Sequence, residues 1–308
     1  MAGSIVILGI FVADTSYRAT RMPRMGETIL GEGFALGPGG KGSNQAVAAA
    51  MAGGNVTFVS RLGDDPFADM AEATWRNAGV KFQGDRDPSN YTGAAFIFVD
   101  SNTGDNAIIV AAGAASSISA NDIEANAASI DVADIFVTQL EQPMGAAMAG
   151  LKRASDAGAR TILNPAPAAT LPEGMLALCD YVTPNETEAS ELTGVDVKTV
   201  DDARAAAKTL LDQGVRTGAI ITLGEQGAFW TDGVDEVHAE GLNAGALVET
   251  TGAGDAFNGG LAVALSEGQD IQAALRFANA TAAISVTRAG TAPAMPTRAE
   301  IEALIATL

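Results

Sequence analysis

The sequence predicts an α/β fold built on a mostly parallel, doubly wound sheet. Short apolar runs rich in β-branched residues recur along the 308 residues, and stretches of helical period, several ending at a glycine, separate many of them. The residues just after those runs are polar, as expected where the carboxyl ends of an open sheet meet a ligand.

Taken in order, Ile5 to Val12 is an eight-residue apolar run, shorter than the roughly 18 residues that span a bilayer and without a basic leader, so it reads as a buried strand. Val56 to Val59, Ile135 to Leu140, Thr161 to Leu163 and Ala219 to Leu223 read as further strands. Between them, Ala46 to Ala52 stops at Gly53, Met144 to Ala157 at Gly158 and Asp201 to Gln213 at Gly214, each a helix with a glycine at its end. Residues 15 to 38 and 91 to 106 have no helical period and suit a small accessory sheet, with Thr92 to Asp100 as one strand. The polar residues that follow the strands are Asp14, Glu141, Asn164, Asn185 and Gly224 with its turn, which one cleft along the sheet edge would collect.

Composition narrows the function. Hydrophobic residues make up 47% of the chain and charged ones 18%, enough to bury a large core in one main domain. The net charge of −19 repels nucleic acid and anionic membranes, yet leaves room for an anion held by backbone N–H groups and Mg²⁺. The lone Cys179 forms no internal disulfide, there is no zinc-type Cys/His cluster, and an intracellular, cytoplasmic protein is expected. His238, the only histidine, lies in a polar run and reads as a surface residue.

Two glycine-rich loops carry chemistry. Gly37 to Asn44 runs into the helical pattern Gln45 to Ala52; it is not a phosphate loop of the Walker type, because Lys41 is followed by Gly42. It suits either polar ligand groups at a helix N-terminus or a tight turn capped by Ser43 or Asn44. Thr250 to Gly260 opens a second helix. There the N–H groups of Gly252, Ala253 and Gly254 would converge on a developing negative charge, and Asp255 would accept the proton of an attacking hydroxyl. On spacing alone Asp255 is equally an N-cap. Asn185 and Glu188, three apart at a helix start, suit phosphate and hydrated Mg²⁺, or a capping box. Thr222-Leu223-Gly224-Glu225-Gln226-Gly227 passes under a nucleotide or connects two strands.

Together GGKGSNQAVA from Gly39, NPAPA from Asn164, TPNETEA from Thr183, ITLGEQG from Ile221 and TTGAGDAFNGG from Thr250 resemble the ribokinase branch of the phosphofructokinase-B sugar kinases, over almost the whole chain. The resemblance implies a three-layer α/β/α domain, a small β-sheet lid from segments 15–38 and 91–106, and a homodimer formed through the lids. It implies transfer of the γ-phosphate of ATP to the primary hydroxyl of a pentose, ribose above all, with Mg²⁺ and K⁺, and Asp255 as base. Asp14, Gly40, Lys41, Gly42, Ser43, Asn44 and Glu141 then correspond to sugar contacts. Asn185, the turn from Thr222 to Gly227, Gly254, Asp255 and Asn279 correspond to ATP contacts, and Glu188 to the Mg²⁺ network.

Two positions depart from the family pattern. Val12 stands where these kinases usually have an asparagine, which suits a sugar lacking a hydroxyl, such as 2-deoxyribose, unless a neighbour or water compensates. Glu249 replaces the usual aspartate of a monovalent-cation site whose other members would be Thr251, Ser285, Arg288, Gly290 and Ala294. The alternatives are a deoxyribokinase, another sugar or nucleoside kinase, or, in a different class, a binding protein without catalysis.

Overall fold

The computed structural model describes residues 3–307. The opening apolar run is not one strand. Ser4–Leu8 forms β1 of a large sheet and Val12–Ala19 forms β2 of a small one. The break has a local cause: the Ile10 carbonyl accepts the Ser43 N–H at the start of the first helix instead of a ladder partner. Gly33–Gly39 (β3) returns antiparallel to β2, and Lys41–Met51 (α1) leads to Asn55–Val59 (β4). Leu62–Gly63 (β5), Pro66–Ala78 (α2), Lys81–Gln83 (β6) and Arg86–Asp87 (β7) precede Thr92–Asp100 (β8) and Asn106–Gly113 (β9).

The remaining chain alternates. Ala120–Ala125 (α3) and Ala127–Ile130 (α4) precede Ile135–Thr138 (β10), followed by Met144–Ala157 (α5), Arg160–Leu163 (β11) and Tyr181–Val182 (β12). Glu186–Thr193 (α6) and Val200–Asp212 (α7) lead to Gly218–Thr222 (β13), Ala228–Thr231 (β14) and Glu236–Ala239 (β15), and Ala253–Ser266 (α8), Ile271–Ser285 (α9) and Arg298–Ile305 (α10) follow.

The large sheet has the order β15-β14-β13-β12-β11-β10-β1-β4-β6, parallel from β13 to β6 with an antiparallel edge made by β14 and β15. Its central strands are apolar on both faces because helices cover both. Ile5, Ile7, Ile135 and Val137 pack with α1, α2, α8 and α9, while Val6, Leu8 and Phe136 pack with α3, α5 and α7. The small sheet, β3-β2-β8-β9, takes its last strand to Gly113, so the second inserted segment extends past the expected residue 106.

Helix α1 begins at Lys41, four residues before the predicted Gln45. Glycine disfavours helix locally, but here the Lys41 N–H is anchored by Glu141 and the Asn44 N–H by the Gly40 carbonyl. The apolar residues Ala246 to Val248 form no strand; Leu247 and Val248 stand exposed in the loop before α8. Among the described residues no helix is long and apolar enough to cross a membrane.

Trp75 of α2 ties the small sheet's root to the main core. It is fully buried among Phe11, Phe58 and Phe82, and its indole N–H donates to the Ser43 hydroxyl at 2.9 Å. Trp75→Ala is expected to lower unfolding free energy by about 3–5 kcal/mol, read as a lower denaturant midpoint; a midpoint within error of the parent would show that this cluster does not support α1.

Candidate active site

Strands β1 and β10 are neighbours, but the chain leaves β1 toward β4 on one side and β10 toward β11 on the other. That reversal opens a crevice at their carboxyl ends. Two helix N-termini enter it. Gly40, with φ 90°, precedes α1; a Cβ there would lie 2.5 Å from the Ile10 carbonyl oxygen, so only glycine fits. Gly252, with φ 81°, precedes α8, and no side chain caps that helix. The turn closes on itself through Ala253 N–H to the Thr250 carbonyl at 3.1 Å. One of the three donors expected at Gly252, Ala253 and Gly254 is therefore engaged within the loop. The N–H groups of Gly254 and Asp255, in the first turn of α8, have no partner among the described residues.

Asp255 is not the N-cap of α8, since Gly252 holds that position. Its side chain, 6% exposed, reaches across to α1. Oδ2 accepts Asn44 Nδ2 at 3.0 Å and Oδ1 accepts Gln45 Nε2 at 3.1 Å. Asn185 and Glu188 do form a capping box, Asn185 Oδ1 accepting the Glu188 N–H at 2.8 Å and Glu188 Oε2 accepting the Asn185 N–H at 2.9 Å. Both nevertheless line the cavity that holds Asp255, together with Lys41, Thr222 and Gly254. Asp14 on β2 occupies the space left by the missing side chain of Gly39, and Glu141 Oε2 accepts the Lys41 N–H at 2.7 Å. Ser43 departs from expectation: its hydroxyl is fully buried against Trp75, so its side chain has no access to the crevice.

Three carboxyl groups, Asp255, Glu141 and Glu188, thus act on the one ammonium of Lys41, and Asp14 lies within reach of Asp255 and Glu141. Burial raises Asp255 above the usual carboxylate range, opposed by Lys41, Asn44 and Gln45. Burial also pushes Glu141 up to about 7, against the pull of Lys41, and Asp14 up to about 6, helped by the charges of Asp255 and Glu249. Glu188 is raised by burial as well. For Lys41 burial acts downward, but Asp255, Glu141 and Glu188 together outweigh it and hold the ammonium above its ordinary pKa.

The cavity around Asp255 measures 130 Å³ and meets a larger cleft of 640 Å³ at Thr250 and Ala253, a size suited to a small organic ligand. Of the expected ATP contacts, Gly224, Glu225, Gly227 and Asn279 line this cleft, while Asn185, Thr222, Gly254 and Asp255 line the small cavity. Two do not take part as expected: the Leu223 side chain is 1% exposed in the core, and the Gln226 amide turns outward to the Lys198 carbonyl. Asn279 donates both to Ala239 and to Glu240 carbonyls, holding the end of β15 as the cleft wall. Sequence reasoning missed the opposite wall, the loop through Gly241, Asn243, Gly245 and Leu247. Its two glycines on either side of Asn243, shortly before the Thr250 motif, were the available signal.

Beside the cleft, Glu249 Oε2 accepts the Gly290 N–H at 2.8 Å, and the N–H groups of Val248 and Glu249 both reach the Val286 carbonyl. The loops carrying Thr251, Gly290 and Ala294 are thereby drawn together. The Arg288 guanidinium points away to Glu300, and the Ser285 hydroxyl donates to the Ala282 carbonyl; the expected ligands at these two residues are their main-chain oxygens.

The profile of the pfkB family of carbohydrate kinases matches residues 2–298. A ribokinase of Haemophilus influenzae is 38% identical over 301 residues, covering 97% of this chain and 97% of that protein. A deoxyribokinase of Salmonella typhi is 37% identical over 294 residues, covering 95% of each. Among solved structures, Arabidopsis thaliana ribokinase complexed with ribose and ATP superposes with a TM-score of 0.90 at 31% identity, covering 99% of both chains.

The crowded carboxyl groups have a consequence for stability. Asp14 and Glu141 titrate higher in the folded chain than in an unfolded one, so the folded state holds their protons more tightly. The stability this contributes is complete below about pH 4 and lost as pH rises through about 6 to 7. Asp14→Asn is expected to be more stable than the parent at pH 8 by about 1–3 kcal/mol, the gain fading toward pH 4. Urea unfolding at both pH values measures it, and equal midpoints for the two proteins at pH 8 would contradict the charge crowding.

Proposed function

The chain belongs to the pfkB family of carbohydrate kinases, and on that premise we propose that it transfers the γ-phosphate of ATP to the primary hydroxyl of ribose, with Asp255 as the base. The observation that carries the reading is the buried Asp255 carboxylate, fixed between α1 and the uncapped N-terminus of α8 in a cavity continuous with a nucleotide-sized cleft. Asp255 takes the proton of the acceptor hydroxyl as its oxygen attacks the γ-phosphorus, and ADP departs on the opposite side. Negative charge on the transferred phosphoryl group faces the N–H groups of Gly254 and Asp255 and the Lys41 ammonium. Asp14, Asn44, Glu141 and the backbone from Gly40 to Gly42 frame the sugar. Asn185, Thr222 and the cleft from Gly224 to Asn279 receive the nucleotide. The ribose and ATP held by the Arabidopsis relative support both halves.

Mg²⁺ travels with ATP and shields its phosphates. Glu188, lining the small cavity with Asp255, is the carboxylate that would face the hydrated ion. For K⁺, Glu249 has one oxygen on Gly290 N–H and the other without a protein partner, beside loop carbonyls, a donor set that fits a monovalent cation. The small sheet is the lid. Its outer face carries Tyr17, Phe34, Leu36 and Ile109, each at least 43% exposed, and such a contiguous apolar face supports a homodimer through the lids. A lone buried cysteine is in keeping with a cytoplasmic location.

A second sugar competes on one observation. Val12 lies two residues before Asp14 on the same face of β2 and is 3% exposed in the apolar cluster with Ile10, Val59 and Ala95, so this position provides no side-chain hydrogen bond to a sugar hydroxyl. The deoxyribokinase relative makes 2-deoxyribose the informative rival.

ADP release with Mg²⁺-ATP and K⁺ across ribose, 2-deoxyribose, fructose and nucleosides tests the reading. Turnover highest with ribose is expected, preference for 2-deoxyribose makes Val12 the discriminating residue, and no sugar-dependent ADP would leave a binding protein. Asp255→Ala is expected to lower kcat by a factor of about 10²–10⁴; turnover near the parent value would remove Asp255 as the base.

A further inference from the structure

The geometry points to Gln45, itself held by Gln139, as a positioning residue that aims the Asp255 carboxylate at the acceptor hydroxyl, an inference that rests on the kinase reading above. Neither glutamine touches solvent; both are fully buried behind Asp255. In an alanine-rich helix face an apolar side chain would pack there without cost, whereas a buried amide is tolerated only when hydrogen-bonded.

The hydrogen bonds settle which way each amide faces. A carboxylate only accepts, so Gln45 must present its NH₂ group to Asp255 Oδ1. The same Nε2 reaches Asn164 Oδ1 at 3.1 Å, and Asn164 is turned that way because its own Nδ2 donates to the Thr183 carbonyl at 3.0 Å. Gln45 Oε1 then faces away from Asp255 and accepts Gln139 Nε2 at 2.6 Å. Reversing the Gln45 amide would set its oxygen against those of Asp255 and Asn164 and its NH₂ against that of Gln139. Gln139 in turn lies in a slot between β1 and α1. A Cβ on Gly9 or on Gly42 would come within 2.7 or 2.8 Å of Gln139 Oε1, so two glycines leave the room it occupies.

Gln45 and Asn44 consequently do different work on the same carboxylate. Among the described residues Asn44 Oδ1 has no hydrogen-bond partner, whereas both polar atoms of Gln45 are bonded to protein. Gln45 provides the described protein hydrogen bond to Oδ1, so without it the carboxylate is free to turn about its Cβ–Cγ bond. It also protonates more readily, since burial already raises it and the remaining charged neighbours are Lys41 on α1, Asp14 on β2, Glu141 after β10 and Glu188 on α6.

Steady-state kinetics across pH test the assignment in Gln45→Leu and in Gln139→Met, the latter leaving every direct neighbour of Asp255 in place. Gln45→Leu is expected to lose about tenfold or more in kcat at neutral pH, with KM for sugar and ATP within about threefold of the parent. The deficit should shrink as pH rises, because the base then ionises at higher pH. Gln139→Met should show the same pattern at smaller amplitude, and it decides the matter if Gln45→Leu does not fold. A parent that turns over sugar while the variants match it, lose kcat equally at every pH or change only in KM would overturn the positioning role alone. A parent without sugar-dependent ADP release would overturn the kinase reading and this role with it.

Discussion

A carboxylate almost out of reach of water has to be kept charged and kept still, and the middle of this protein is arranged around that demand. Asp255 cannot be stabilised by solvent, so α1 supplies Asn44 and Gln45 as donors and Lys41 as the counter-charge. Those three residues reach it only because α1 starts directly after Gly40, pressed against Ile10, and Ile10 is available there only because the apolar opening run breaks between two sheets. The strand break, the early helix start and the glycine loop are one structural decision seen at three positions.

The same arrangement explains how a chain with a net charge of −19 can receive a polyanion. Within the crevice the uncapped first turn of α8 and the Lys41 ammonium supply local positive potential against the global field. The cost is carried by the acids on the opposite wall. Burial and mutual repulsion raise Asp14 to about 6 and Glu141 to about 7, so each weakens the folded state as it ionises.

The small sheet joins site to surface. One face of β2 carries Val12 and Asp14 while the other turns Tyr17 outward beside Phe34, so alternate residues of a single strand lie in different surroundings. A strand so placed shows no clean alternation of apolar and polar residues, which is why residues 15 to 38 read only as non-helical.

Much of this was legible beforehand. Apolar runs and glycine stops located most of the strands and helices of the main sheet, because both faces of that sheet are covered and its strands must be apolar throughout. The order of five short motifs marked Asp255, Asn44, Lys41 and Glu188, whose chemistry is carried by residue type. What local pattern does not encode is direction. Ser43 faces Trp75 and not the crevice, Leu223 enters the core, Ala253 turns its N–H to Thr250, and Gln45, a polar residue among alanines, reaches the buried Asp255 carboxylate. The sequence by itself determined the elements and the reactive groups, since these depend on side-chain chemistry and short-range periodicity. Only the tertiary structure decided which of those groups meet, because Gln45 and Asp255 lie 210 residues apart in the chain and a hydrogen bond between them exists only once both helices pack at the same strand ends.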